Sequence, residues 1–484
     1  MSAEMKKKLS IIYPPVSKEE RYSSDIGNSG GIQIPLGIYY LSSFMLSKNY
    51  DVQAVDAEAQ GLTSEDILYR LKQFSPDYIG ISATTVAFHR AVELANAIKT
   101  VFCRIPVILG GPHVTSNYKQ ALSFPAFDFA VLGEGELTLW ELCEALTHNA
   151  SPDNVDGIIY RSPDAEDGLV KTSPRKYIDN LDTLPFPAYH LIPDIGLYNP
   201  RPSEYKKLPA INLITSRGCP GQCTFCDKNV FGGIYRKRSA ENVFQEIMML
   251  RRQYNVREIK FVDDTFLIDR QRIKKLFSLL REAGVYINWT CNSRVVDVDR
   301  EYLQFLKENG CWHISFGIES GDEDILKLIK KNLSLEKVRQ VIQWCNELSI
   351  KTMGLFMIGH PLETEETMEK TINFALSLKL DGVVCTINTP IPGSPQYSQI
   401  SQYGTLDETD WSKYNYWRPV FVPKGLSKEV LLEKHREFYR RFYLRPGILF
   451  TFFLSFFGPG GLRRLVAITK SSLFLFRRNK NVSN

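Results

Sequence analysis

Short apolar runs alternate with stretches of helical spacing along the first third of the chain. Residues 9–13, 52–55, 78–82, 107–111 and 129–133 are runs of four or five residues that read as buried strands. Residues 35–46, 64–74 and 87–101, and a stretch ending near 146, repeat apolar side chains at helical spacing. Ser64 is the expected N-cap of the second, with Glu65 and Asp66 in its first turn. Strands alternating with helices predict a doubly wound, Rossmann-like parallel sheet over residues 1–150. Residues 151–205 read as a linker. Within it, 155–160 and 168–172 pair as a hairpin around Ser162-Pro163-Asp164. Leu184-Pro185-Phe186-Pro187-Ala188 is held extended by its prolines.

The pattern then repeats with longer units. Strands are expected at 211–216, 258–262, 287–291, 313–318, 352–358 and 383–388. Helices lie between them, the first over 239–254 and the fifth capped by Thr364. Six β/α units predict a partial (β/α)6 barrel of TIM type over 206–400. Polar residues gather at the strands' carboxyl ends, where such barrels keep their chemistry. They include Asp263-Asp264, Asn292-Ser293-Arg294, Glu319-Ser320-Gly321 and Gly359-His360-Pro361. Residues 401–484 form a helical C-terminal region. Residues 431–443 read as a mixed-charge helix rich in aromatics. Residues 448–457 are almost wholly apolar and stop at Gly458-Pro459-Gly460, too short to span a bilayer. Residues 462–476 mix apolar side chains with Arg463, Arg464 and Lys470.

Composition changes this picture in two places. The 484 residues carry a net charge of +5, yet the last 47 hold nine Lys/Arg and no Asp/Glu, leaving −4 for the rest. The basic character therefore belongs to the tail, which excludes a nucleic-acid-binding core. That tail reads either as a membrane-surface helix pair or as a helical cap over the barrel mouth. Six of nine cysteines lie singly in apolar runs and read as buried hydrophobes. Without a disulfide framework, and with an N-terminal apolar run too short for a signal peptide, the expected location is cytoplasmic, at the inner face of the membrane if the tail docks there.

The other three cysteines carry chemistry. Cys219, Cys223 and Cys226 stand at C-x3-C-x2-C spacing just after the first barrel strand. Thiolates suit iron–sulfur clusters or zinc. A closed zinc site wants a fourth ligand at similarly short spacing, and none follows. Three ligands leave one iron of a 4Fe–4S cluster open. With Phe225 before the third cysteine, the segment resembles the cluster loop of the radical S-adenosylmethionine (radical SAM) enzymes. Ahead of it, Pro35-Leu36-Gly37 and three loops at strand ends resemble the cobalamin-binding domain of the cobalamin-dependent branch of that family. The loops read Ser82-Ala83-Thr84-Thr85, Gly110-Gly111-Pro112-His113 and Gly133-Glu134-Gly135-Glu136. The same branch has an Asp-x-Leu-Pro-x-Pro-Ala crossing like that at 182–188.

The resemblance implies three cofactors and a set of contacts. Cys219, Cys223 and Cys226 would hold the 4Fe–4S cluster. S-adenosylmethionine would meet Phe225, the carboxylates of Asp263 and Asp264 at its amine, and Ser293 and Arg294 at its carboxylate. Glu319 would take the ribose, and Gly354 and Gly359 would leave room for the adenine. Cobalamin would lie on Ser82, Thr84, Gly110, Gly111, His113, Gly133, Glu134 and Gly135. No histidine stands in an Asp-x-His-x-x-Gly motif, so the cobalt is expected to lack that ligand.

The activity implied is C-methylation of an unactivated carbon through a 5′-deoxyadenosyl radical. The expected substrate is a hydrophobic small molecule such as a lipid, isoprenoid or tetrapyrrole, with a reductant such as flavodoxin or ferredoxin. A rival is oxidative ring formation, as in the anaerobic magnesium-protoporphyrin ester cyclase. Methylthiolation of tRNA would need three more cluster cysteines ahead of the barrel. A non-catalytic corrinoid or redox sensor would not need the polar residues at the strand ends.

Overall fold

The computed structural model describes residues 6–26, 30–201, 204–407 and 410–449. Five parallel strands open the chain: Lys8–Tyr13 (β1), Asp51–Asp56 (β2), Tyr78–Ser82 (β3), Val107–Gly110 (β4) and Phe129–Val131 (β5). They pair in the order β2-β1-β3-β4-β5. Successive side chains face opposite sides of a strand, which divides the core in two. Leu9 and Ile11 pack with Ile38 and Leu142 of the helices Leu36–Ser47 and Gly135–Thr147. Ile12, Ile79 and Ile81 pack with Ile67 and Leu94 of Ser64–Phe74 and Phe88–Val101. Both faces are covered, so the strands read as continuous apolar runs.

Two details differ from the sequence expectation. The helix Ser64–Phe74 is capped by Thr63, not Ser64. Thr63 Oγ1 accepts from Asp66 N at 3.2 Å while the Asp66 carboxylate accepts from Thr63 N at 2.9 Å. That reciprocal closure needs a three-residue spacing, which only Thr63 has to Asp66. The hairpin expected in the linker forms, but as part of the first sheet. Ile158–Arg161 (β6) pairs antiparallel with β5, and Leu169–Lys171 (β7) with β6. Ile158 and Ile159 are fully buried by this pairing, which also covers an otherwise open edge.

The second sheet holds six parallel strands: Ala210–Leu213 (β8), Glu258–Phe261, Asn288–Ser293, Cys311–Glu319, Lys351–Ile358 and Gly382–Ile387. The two-residue strands Ser216–Arg217 (β9) and Arg236–Lys237 (β10) lie between the first and second of these, so the remaining five are β11 to β15. The order β15-β14-β13-β12-β11-β8 follows the chain, as a partial barrel requires. β8 stops at Leu213 rather than Ser216, because Thr215 N turns to the Asp263 carboxylate at 2.9 Å. Ser216 and Arg217 pair instead with β10 as an antiparallel ribbon.

The free edge of β15 is closed by side chains. The helix Lys428–Tyr443 runs along it, and Tyr439 Oη bonds both N and O of Cys385, at 2.9 and 3.0 Å. Tyr443 Oη does the same for Val383, at 3.2 and 2.9 Å. The apolar and basic tail from residue 450 onward lies outside the described residues. No helix among those described is long and apolar enough to cross a membrane.

Buried polar bonds lock the two sheets together. Asn212 in β8 exchanges two hydrogen bonds with the backbone of Ile34, both 2.9 Å. Tyr198 donates to Asp56 at 2.8 Å and Tyr189 to Glu246 at 2.7 Å.

Candidate active site at the mouth of the barrel

The ribbon of β9 and β10 forms the neck of the cysteine loop. Gly218 starts the loop at φ +86°, where a Cβ would stand 2.2 Å from the Ile234 carbonyl oxygen. Only glycine meets both conditions. The loop is then pinned across the barrel mouth. Thr224 N donates to Ile329 O at 3.0 Å, and Gln396 N to Thr224 O at 2.8 Å. Lys228 closes it from within by bonding the Gly221 carbonyl. All three cysteines are free thiols on this pinned segment.

The thiols crowd one another. Lost solvation first, then Cys223 and Glu319, push Cys226 up to about 12. Lost solvation also raises Cys223. A cationic centre would reverse both shifts. Among the described residues, no three His, Cys, Asp or Glu side chains could hold a single metal ion. Three soft sulfurs spread along a short loop fit a larger group, a 4Fe–4S cluster.

Two cations the pattern had not marked out together face this loop. Arg294 lies close enough for Cys219 and Cys223 to raise its pKa, after the larger effect of its bond to Asp297. That bond is bidentate, with Nε and Nη2 at 3.0 and 2.6 Å from the Asp297 oxygens. Lys331 is largely buried, with Nζ 2.7 Å from Glu319 Oε1 and 5.9 Å from the centre of the Phe225 ring. Burial works against its charge, but Glu319 and then the two thiols outweigh it and raise its pKa. Nothing in the sequence pattern marked Lys331.

The remaining expected contacts separate into open and closed groups. Asp264 is exposed at the mouth, and its pKa is raised by lost solvation and by Asp263. Asp263 is buried, its Oδ1 taken by Thr215 N, Thr215 Oγ1 and Ser216 Oγ at 2.9, 2.8 and 2.5 Å. It braces the neck of the loop. Ser293 is buried and bonds the Arg294 carbonyl at 3.1 Å. Gly354 leaves no room for a base: Phe356 and Leu380 come within 2.6 and 2.8 Å of where its Cβ would be. Gly359, at φ +83°, faces Leu431 of the C-terminal helix.

Several buried polar atoms just after β14 and β15 lack partners. Both ring nitrogens of His360, Oδ1 of Asn388 and the side-chain amide of Gln396 are among them. The His360 ring is 6.2 Å from that of Phe225, and burial holds its pKa down to about 3, so it is neutral. An unmade buried bond costs about 1–3 kcal/mol, so this set fits a polar ligand such as the nucleoside of S-adenosylmethionine. Short sequence motifs did not reveal it, because its members come from the ends of two strands, β14 and β15, and are up to 36 residues apart.

The first sheet brings its three loops to the same side of the molecule. Nothing lies within 4 Å of a Cβ placed on Gly110, so a ligand can approach its backbone. Gly111 holds the turn at φ +100°, where a Cβ would meet Ala83 N and O at 2.9 and 2.8 Å. Ser82 borders this turn, and Thr84 Oγ1 is buried without a partner. Gly133 turns at φ +68°, and Gly135 packs against Leu41. These glycines, with the unpartnered Thr84, suit a large ligand approaching the backbone.

Two of the expected cobalamin contacts face elsewhere. His113 is closed in, stacked on Phe88 at 4.0 Å and met edge-on by Trp411 at 5.2 Å. Its nitrogens pair with Thr85 Oγ1 and Gln120 Oε1 at 3.3 and 2.9 Å. Glu134 turns toward the barrel, where its carboxylate accepts from Arg217 at 2.8 Å, Arg236 at 2.8 Å and Ile178 N at 2.8 Å. A residue missed by sequence reasoning lies near the cysteine loop. Tyr416 is 42% exposed beside buried Tyr414 and Trp417, at φ +67°. Lost solvation first, then Cys226 and Asp227, push its hydroxyl up to about 12.

Residues 213–375 match the radical SAM superfamily, and residues 22–143 the B12 binding domain. A Pyrococcus horikoshii protein named as an uncharacterized methyltransferase is 35% identical over 447 residues, 91% of this chain and 94% of its own. The anaerobic magnesium-protoporphyrin IX monomethyl ester cyclase of Rubrivivax gelatinosus is 29% identical, covering 87% and 77%. The solved structure of the cobalamin-dependent radical enzyme OxsB, with aqua-cobalamin and S-adenosylmethionine bound, shares the fold at TM-score 0.73 and 18% identity. That likeness covers 97% of this chain and 72% of OxsB.

A cysteine loop at the first strand of a partial barrel, behind a Rossmann-like sheet, defines an enzyme of the radical SAM class. This chain belongs to that superfamily, in the branch with a B12 binding domain, and its cofactors are a 4Fe–4S cluster, S-adenosylmethionine and cobalamin. It takes a small-molecule substrate and requires a reductant.

Proposed function

We propose that this protein is a C-methyltransferase acting on an unactivated carbon of a hydrophobic small molecule. The observation that carries the reading is the contact between two sites. Ser116, in the helix after the Gly110 turn, bonds Asp227 next to Cys226, and Glu134 of the Gly133 loop bonds Arg217 at the neck of the cysteine loop. Bound there, the cofactors would supply a 5′-deoxyadenosyl radical on one side and a methyl group on the other.

The chain's own residues hold and orient. Cys219, Cys223 and Cys226 would ligate the cluster. Asp264 offers a carboxylate for the methionyl amine, and Lys331 and Arg294 offer cations for its carboxylate. Neutral His360, Asn388 and Gln396 would bond the nucleoside without adding charge. Part-exposed Tyr416, near the cysteine loop, would offer an aromatic side chain to an apolar substrate. The Asp297 bond leaves Arg294 only part of its fork, so Lys331 is the better-placed cation. The aromatic, basic tail fits a greasy substrate and contact with an anionic membrane surface.

The test is anaerobic turnover of cofactor-loaded protein with S-adenosylmethionine, reductant and apolar candidates. Methylation yields 5′-deoxyadenosine and S-adenosylhomocysteine in about equal amounts. Ring formation, the second reading supported by likeness to the ester cyclase, yields the first without the second. Neither product would mean a sensor. For the tail, failure to co-sediment with anionic liposomes would remove the membrane contact.

A further inference from the structure

The Gly133-Glu134-Gly135-Glu136 loop makes a connection that cofactor binding does not require. Arg217 divides its fork between two carboxylates: Nη1 donates to Glu134 Oε1 at 2.8 Å and Nη2 to Glu136 Oε1 at 2.5 Å. Arg236, the β-bridge partner of Arg217 across the ribbon, bonds the other Glu134 oxygen at 2.8 Å. All four side chains are buried, each no more than 6% exposed. Arg217 is further enclosed by aromatic rings, with its guanidinium carbon 5.5 Å from Tyr40 and 5.2 Å from Phe231. On the far side of the cysteine loop, Ser116 bonds Asp227, and Asn229 reaches Ser116 at 3.3 Å and Gly393 O at 3.4 Å. The loop is therefore gripped by the first domain at both ends.

We infer that the paired arginines and glutamates are a clamp that sets the separation of the two cofactors, with Arg217 as its positioning residue. This rests on the proposed reading that cobalamin occupies the first sheet's loops. Glu134 and Glu136 sit in the β5 loop that would carry it. Arg217 is joined to the first cluster cysteine, Cys219, through Gly218 alone, whose Cβ position is blocked by the carbonyls of Ile234, Phe231 and Gly232. A shift of either carboxylate is thus passed on to the cluster loop with little slack. A buried ion network fixes geometry more than it adds net stability. Lysine can bond two acids only from one nitrogen, as Lys434 does with Glu369 and Glu437, and so lacks the fixed spacing of the planar fork. Radical transfer needs reacting groups placed to a fraction of an ångström, which gives such a clamp its use.

The experiment uses full-length protein loaded with cluster and cobalamin, poised so that part of each is paramagnetic. Pulsed EPR then reads the distance between the reduced cluster and cob(II)alamin. Wild type is expected to give one narrow distance. Arg217→Lys, which keeps the charge and loses the fork, should broaden or shift it at unchanged iron and cobalt content. Glu136→Gln should do so less. An unchanged narrow distance in Arg217→Lys overturns the inference. If Arg217→Lys does not fold, Glu136→Gln carries the same comparison with the same two outcomes. If wild type retains no cobalt, the cobalamin reading itself fails, and the clamp is read by hydrogen exchange. Arg217→Lys must then speed exchange in 132–137 and 217–226 together. A uniform rise, or a rise in one loop alone, overturns it.

Discussion

Lys331 Nζ lies 2.7 Å from Glu319 Oε1, over the Phe225 ring at 5.9 Å from its centre and near two cluster-loop thiols. Glu319 takes this position from a left-handed backbone, φ +69°, at the end of β13. Such a conformation in a glutamate costs about 1–3 kcal/mol unless its surroundings impose it. Lys331→Met leaves that carboxylate buried and alone, which costs about 3–5 kcal/mol. A lower urea midpoint is expected, together with S-adenosylmethionine binding at least about tenfold weaker by equilibrium dialysis, a loss of about 1.4 kcal/mol. Unchanged affinity would remove Lys331 from the site.

Glu363 gives the fold a pH dependence. It is fully buried, accepts from Gly359 N and from His360 N at 2.9 Å, and is pushed up to about 8 by burial. Its folded pKa lies above the unfolded value near 4.5, so the native state binds the extra proton. Stability from this group is present at low pH and is lost as pH rises between about 4.5 and 8, at up to about 1.4 kcal/mol per unit. Glu363→Gln keeps an acceptor for both amides and should flatten that slope in denaturation curves at pH 5 to 8. A slope identical to wild type would contradict this.

Gly218→Ala places a methyl group 2.2 Å from Ile234 O at φ +86°. The loop neck must open, costing about 1–3 kcal/mol for the backbone alone. Iron bound after anaerobic reconstitution should fall by more than half while far-ultraviolet circular dichroism stays unchanged. Full iron loading would show that the neck does not govern the loop.

His113 is held at about 4 by burial. It is neutral in the fold and would charge in the unfolded chain, so its contribution is lost as pH falls from about 6.5 to 4. His113→Ala removes a ring packed between Phe88 and Trp411 and should cost about 2–5 kcal/mol, by analogy with other large-to-small core changes. The EPR spectrum of cob(II)alamin in His113→Gln should match wild type. Loss of a nitrogen splitting on substitution would instead make His113 a cobalt ligand.

Local signals carried much of this protein. Apolar runs of strand length, helical periodicity between them and glycines at strand ends sufficed for two parallel α/β layers, because each is a property of neighbouring residues. The three cysteines were legible for the same reason, since their chemistry depends on spacing within eight residues. The hairpin was legible as a hairpin but not as β6 and β7, because strand pairing to β5 is a choice among distant partners.

Tertiary structure decided which polar groups face the mouth and which are consumed in holding it. Asp263 and Asp264 are adjacent in sequence and alike in chemistry. The end of β8 ties Oδ1 of the first to Thr215 and Ser216, leaving its buried Oδ2 without a partner, while the second is exposed. Glu134 stands in a loop that reads as a ligand cradle, yet its carboxylate is neutralised by Arg217 and Arg236, more than eighty residues away. His360, Asn388 and Gln396 are brought together because β14 and β15 pair side by side. Desolvation and charge pairing depend on what lies opposite a side chain, and sequence spacing carries that information only within one loop or helix turn.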